Sequence, residues 1–178
     1  LVDAAGSRKL EVSGTIPYAG NPIKHGAVED KLAASGYELP DPPSPAGNYL
    51  AAIRSGQLLY ISGVTCKWNG KLEFKGKVGE DFTVEEGYEA ARITTLNHLA
   101  IIKETLGSLD KVARIIKITG YVNCSSDFTE IPQVLNGSSD LAVKLLGEEG
   151  KHIRCAVGVN SLPGGAAVET DMIIEVND

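Results

Sequence analysis

The chain has 178 residues, 43% of them hydrophobic and 22% charged, which suits one soluble globular domain with a sizeable core. A net charge of −6 and a pI near 5.1 argue against nucleic acid as the main partner, because phosphate contacts need a basic face. Cys66, Cys124 and Cys155 are odd in number and share no ligand spacing with His, which argues against a disulfide framework or a zinc site and for reduced thiols in the cytoplasm.

The chain opens on Leu1, not Met, and no charged-then-apolar signal segment follows; a leader removed before Leu1 is compatible with this. No apolar run approaches the ~20 residues of a membrane span. Residues 1–25 read as an irregular arm broken by Gly6, Gly14, Gly20 and Asn21-Pro22, with a short strand at 9–14. Val28, Leu32 and Ala33 at helical spacing predict a short helix within 26–36, stopped by Gly36. Pro40, Pro42, Pro43 and Pro45 forbid both helix and sheet interior, so the stretch around them is an extended connector. The expected division is an N-terminal extension, 1–30, and a single domain, 31–178.

Alternation then predicts strands at 49–54 and 57–62 around a Ser55-Gly56 turn, and a hairpin-like loop at 68–79. Thr83 and Glu86 form a capping box. Behind it Tyr88, Ala91, Thr95, Leu99, Ile102 and Leu106 make an apolar stripe that Gly107 ends. A strand at 111–124 leads to a second helix, capped by Asp127 and running to about Gly147, with Pro132 and Gly137 disturbing its start. Two strands close the chain, at 152–163 and 166–176, joined through Leu162-Pro-Gly-Gly165. This order, β-β-(β)-α-β-α-β-β, belongs to the α+β class.

Two charged residues stand out in those last strands, which are rich in Val, Ile and Ala. Arg154 and Glu169 are 169 − 154 = 15 positions apart, and a hairpin turning at 163–165 sets them opposite each other. The spacing fits an ordinary cross-strand salt bridge. It also allows a pocket in which the Arg fork takes a carboxylate and the Glu handles water, although spacing alone favours the salt bridge. Tyr49 is either a packed aromatic or a proton donor, and Ser62, before a glycine, is a turn residue with no His near it in sequence. His98 is structural or solvent-facing. Lys151 and His152 lie at a cleft mouth or in a solvated loop. Cys155 is either a thiol activated by Arg154 or a buried inert one. Gly164–Ala167 is a turn with no following helix to bind phosphate.

Four stretches, "KLAASGYELPDPPSPAGNYLAAIRSGQLLYISG", "GKVGEDFTVEEGYEAARITTLNHL", "KITGYVNCSSDF" and "IRCAVGVNSLPGGAAVETDMIIEV", together resemble the Rid family (YjgF-type, reactive-intermediate deaminase or endoribonuclease L-PSP) over about 31–176. They are most like the branch with a Leu-Pro-x-Pro lead-in. The resemblance implies a chorismate-mutase-like α+β subunit, a mixed sheet with two helices on one face, assembled as a homotrimer with ligand clefts between subunits. It implies hydrolytic deamination of 2-imino or 2-enamino acids with neither metal nor organic cofactor. Arg154 would hold the substrate carboxylate with Cys155 beside it, Glu169 would handle the water, and Tyr49 and Ser62 would close the cleft.

The chain departs from that pattern at three places. Val64 replaces a Gln, Pro132 replaces an Asn at the start of the second helix, and Ala156 replaces a Cys. Cys155 is shifted by one and should face the other way on its strand. These changes support a second expectation, a protein that binds or senses 2-oxo acids without turnover. A third, ribonuclease or translation-inhibitor activity, is opposed by the acidic charge and the lack of a His pair. The expected partners are a small carboxylate and further copies of the chain, not nucleic acid or a membrane.

Overall fold

The computed structural model describes residues 26–177; the arm expected over 1–25, with its strand at 9–14, lies outside the described residues. Helix α1 (Ala27–Ala34) forms where Val28 and Leu32 share a face, and both are buried in the main core. Asp110 caps it from a distance: its carboxylate accepts from the backbone N–H groups of Gly26, Ala27 and Val28, the last at 2.9 Å. This helix spans positions 30 and 31, where the sequence divides extension from domain. The proline connector carries no regular secondary structure, and the Asp41 N–H donates to Asn69 Oδ1 at 2.8 Å. Strands β1 (Ala52–Ser55) and β2 (Leu58–Thr65) form the expected hairpin. Ser55 pairs with Leu58, however, so the turn is Gly56-Gln57, and the strand begins at Ala52, leaving Tyr49 in the preceding bend. A miniature hairpin follows, β3 (Lys67–Trp68) and β4 (Lys71–Leu72). Asn69 and Gly70 turn it at φ 47° and 82°, as a type I′ turn requires.

Helix α2 (Val84–Leu106) carries the capping box in full. Glu86 N–H donates to Thr83 Oγ1 at 3.2 Å and Thr83 N–H donates to Glu86 Oε2 at 2.8 Å. The predicted stripe is buried at Ala91, Thr95, Leu99 and Ile102, and Ala90, Thr94, His98 and Ile101 are buried beside it. The middle turns are therefore enclosed on most of their circumference. Strand β5 (Val112–Asn123) leads to α3 (Ile131–Leu146), which starts at Glu130 and not at Asp127. Pro132 falls in the first turn, where its missing N–H breaks no helical bond. Gly137 has a packing reason: a Cβ there would lie 2.0 Å from the Tyr88 carbonyl oxygen, so α2 and α3 meet backbone to backbone.

Strands β6 (Ile153–Val159) and β7 (Val168–Val176) complete a five-stranded sheet of order β1-β2-β7-β5-β6. The predicted hairpin between the last two strands does not form. Helix α3 joins β5 to β6 as a parallel crossover, which puts β6 on the outer edge, and β7 returns antiparallel between β2 and β5. Alternation identifies both strands and their buried faces, but it carries no information on which strand lies beside which. Helices α2 and α3 cover one face of the sheet. On the other, Ile53, Tyr60, Ile173, Lys117 and Ile153 stand in register across all five strands, with Ile53 57% and Ile153 66% exposed.

Candidate functional site

Strand register decides where the two singled-out charges point. Arg154 is in register with Ile118 and, through it, with Met172, both buried under the helices. Glu169 is in register with Tyr121 and Thr65 on the uncovered face. The expected cross-strand pair is therefore absent, as salt bridge or as pocket wall. β5 separates the two strands, and the side chains leave the sheet on opposite faces.

Around Glu169 the chain is built to admit a carboxyl group. Between Ile61 and Val64 the β2–β7 register shifts, so Ser62 and Gly63 together span one partner position, a bulge of the kind that re-aims side chains. A Cβ on Gly63 would sit 2.3 Å from Glu169 Oε1, so the carboxyl occupies the space a side chain would take. Ser62 is fixed by its N–H donating to Ala51 O at 2.9 Å and its hydroxyl donating to Leu50 O at 2.6 Å. Tyr49 is half exposed and its hydroxyl accepts the Ala46 N–H at 3.1 Å. Tyr49, Ser62, Gly63 and the buried Val64 line a depression of about 30 Å³, room for roughly one water. Burial raises the Glu169 pKa above its ordinary value, and the Asp171 carboxylate, two residues on along the same face, raises it further. Tyr121, which the sequence did not single out, donates to Asp171 Oδ2 at 3.3 Å; burial first and Asp171 second raise its pKa.

Arg154 lies on the helix side. Its Nη1 donates to Asn136 Oδ1 at 2.9 Å and to Ser139 Oγ at 3.0 Å, both on α3. His152 is half-buried and bonded to Ser139 and to the Gly150 carbonyl, not solvated in a loop. Asn136 and Ser139 escaped sequence reasoning because polar residues three apart on a helix mark a shared face but name no partner. Cys155 is an exposed free thiol on the uncovered face, in register with Thr119, so it is neither buried nor beside the guanidinium. Ala156 faces the helices with Arg154 and packs against the second hydrophobic cluster. His98 is fully buried: Nε2 lies 2.9 Å from the Thr170 carbonyl oxygen and 3.0 Å from its hydroxyl, and burial lowers its pKa to about 4. It is a structural residue.

A cleft of about 540 Å³ opens at the C-terminal ends of the parallel strands β5 and β6, lined by Lys77, Cys124, Ser125, Phe128, Ile131 and Asn160. Lys77 Nζ is already committed, donating to Asn123 Oδ1 at 2.9 Å, Cys124 O at 3.1 Å and Asn160 O at 2.7 Å. Among the described residues no His, Cys, Asp and Glu group is arranged to hold a metal, and no helix is long and apolar enough to cross a membrane.

A five-stranded mixed sheet with helices on one face, a parallel β5-α3-β6 crossover and an uncovered opposite face define a chorismate-mutase-like α+β subunit. The family described as "YjgF/chorismate mutase-like, putative endoribonuclease" matches residues 29–168, and the chain belongs to this Rid/YjgF family. Protein TCP17 of Trypanosoma cruzi is 42% identical over 157 residues, 88% of this chain and 98% of its own length. Among solved structures, Atu1372 of Agrobacterium tumefaciens is 40% identical with a TM-score of 0.80, covering 85% of this chain and 93% of that one. An endoribonuclease-labelled protein of Shewanella oneidensis is 34% identical with a TM-score of 0.82, covering 84% and 99%.

Proposed function

We propose that the protein binds small 2-imino or 2-enamino acids by their carboxylate on Arg154 and hydrolyses them at clefts between copies of the chain. Glu169 takes a proton from water as the water oxygen bonds to the imine carbon. That proton passes from Glu169 to nitrogen; the new hydroxyl then gives its own proton to Glu169 as it becomes the carbonyl and the C–N bond breaks, and the departing ammonia takes this second proton, so that 2-oxo acid and ammonium leave. An enamine first tautomerises to the imine. A protonated imine is already electrophilic, so the chemistry needs no metal or organic group. The observation that carries this reading is the seating of Glu169: a half-buried carboxyl of raised pKa, held where Gly63 has no side chain, is suited to accept and release a proton.

Family membership supports a small-molecule role, and because Arg154 and Glu169 leave the sheet on opposite faces, a site that uses both draws them from two copies. One chain offers only a 30 Å³ depression beside Ser62, far below the few hundred Å³ of an ordinary ligand pocket. A second copy placing its Arg154 edge near this Glu169 would complete the site. The row of Ile53, Tyr60, Ile173 and Ile153 on the uncovered face supports self-association, and the homotrimer implied by the resemblance is the assembly proposed. The test is ammonia release from 2-iminobutanoate generated in solution. Arg154→Ala should abolish enzymatic release while the oligomer persists; unchanged release would reject the assignment.

A second reading, 2-oxo acid binding without turnover, is favoured by Val64, which is buried and apolar where deaminating relatives carry a polar Gln. Tight 2-oxo acid binding with no ammonia release by the wild type would select it. RNA cleavage, which the family description names, is tested by comparing wild type with Glu169→Ala on the same RNA.

A further inference from the structure

Arg154 does not stand free above α3. Nη1 of a guanidinium carries two hydrogens, and here it has two acceptors, Asn136 Oδ1 at 2.9 Å and Ser139 Oγ at 3.0 Å. Asn136 and Ser139 are three residues apart on α3, so both project from one face of that helix towards β6. Pro132, where the resemblance expects an amide, lies one turn earlier, and Asn136 supplies the amide from the next turn.

Ser139 has a second neighbour, His152 Nε2, 3.1 Å from its Oγ. The other ring nitrogen, Nδ1, lies 2.7 Å from the Gly150 carbonyl oxygen, which can only accept. The neutral ring therefore carries its proton on Nδ1 and presents a lone pair at Nε2. Ser139 donates its hydroxyl hydrogen to that lone pair, and its oxygen is left to accept from Arg154. Each bond from the Gly150 carbonyl to the guanidinium then has one donor and one acceptor. Burial, with Arg154 adding to it against the Gly150 hydrogen bond, lowers the His152 pKa and favours the neutral ring.

We propose that Asn136, Ser139 and His152 are positioning residues that lock the Arg154 guanidinium through Nη1, so that a substrate carboxylate is taken side-on by Nε and Nη2. This rests on Arg154 being the carboxylate anchor. The Nε–Nη2 edge forms the parallel pair of N–H groups that a carboxylate matches, and no described residue bonds to it. Fixing the fork before the ligand arrives removes rotamer entropy that binding would otherwise have to overcome.

The test uses the full chain and 2-oxobutanoate, a carboxylate that cannot be deaminated, titrated calorimetrically. Arg154→Ala should lose binding. Asn136→Ala and Ser139→Ala should each weaken it about tenfold, and Ser139→Thr, which keeps the hydroxyl, should return to within about threefold of wild type. Nitrogen NMR should show His152 protonated at Nδ1 and slow rotation of the Arg154 Nη groups that becomes fast in Ser139→Ala. Wild-type affinity in both Asn136→Ala and Ser139→Ala, a Ser139→Ala defect that Ser139→Thr fails to restore, or a His152 proton on Nε2 would each overturn the inference while leaving the anchor intact. Wild-type affinity in Arg154→Ala would instead remove the anchor itself.

Discussion

Arg154 and Glu169 leave one sheet on opposite faces, on strands that have β5 between them. A site using both must therefore draw them from two copies of the chain, and this can be tested without a ligand-bound structure. Arg154→Ala and Glu169→Ala should each be inactive alone. Unfolded together in equal amounts and refolded, they should regain about a quarter of wild-type ammonia release, since random mixing in the proposed trimer would place an intact Arg154 against an intact Glu169 at that fraction of its interfaces. No recovery from mixed oligomers, verified by mass, would place the two residues in separate roles.

Gly63 separates the chemistry from the fold. A methyl group there meets the end of the Glu169 side chain, not backbone, so the carboxyl can swing away at small cost. Gly63→Ala should keep stability within about 1 kcal/mol of wild type, at the mild end of small-to-large changes. If Glu169 is the proton acceptor as proposed, Gly63→Ala should nevertheless lower kcat by about a hundredfold, because a group displaced by an ångström loses most of its effect. Thermal melting and steady-state kinetics on the same preparation check both halves.

Asp171 tunes that carboxyl. Burial raises the Glu169 pKa and the Asp171 charge adds to it, so the acid limb of kcat/KM should lie above the ordinary Glu value of 4.5. Activity should fall as pH drops through that limb, because a protonated Glu169 takes no proton from water. Asp171→Asn removes a like charge, so the limb should move to lower pH. A limb that stays in place would show that another group controls it.

The fold was more legible than the site, for reasons visible in single residues. The Thr83–Glu86 box and the Gly107 stop bounded α2 because capping depends on residues a few positions apart. The Asp127 cap failed because the chain makes a further turn at 125–128, Phe128 N–H donating to Ser125 O, before the helix begins. Gly137 looked like a helix defect and is a contact point, visible only once Tyr88 O lies against it. The Leu162–Gly165 turn is real, with Gly164 and Gly165 at φ 67° and 78°, but it leads β7 across β5 and not back along β6. Arg154 and Glu169 are charges in strands rich in Val, Ile and Ala. Their partners, Asn136, Ser139, Gly63 and Tyr121, are set by tertiary packing and leave no periodic trace.

His98 gives the fold itself a pH dependence. The imidazole is completely buried, and burial lowers its pKa from 6.5 to about 4. Its Nε2 is held to Thr170, while Nδ1 has no partner among the described residues, so no acceptor stands ready to share a second ring proton. The unfolded chain binds a proton at His98 below pH 6.5, whereas the folded chain resists it until near pH 4. Between these values the unfolded state holds more protons, so stability rises with pH. The contribution is complete above pH 6.5 and is lost as pH falls towards 4, amounting to about 3 kcal/mol for a shift of this size. His98→Gln removes the titration whatever it does to packing, so the slopes and not the absolute stabilities should be compared. Urea unfolding at pH 7 and pH 4 should show wild type losing about 3 kcal/mol more than the variant between the two. Equal losses would mean that His98 charges freely in the folded protein.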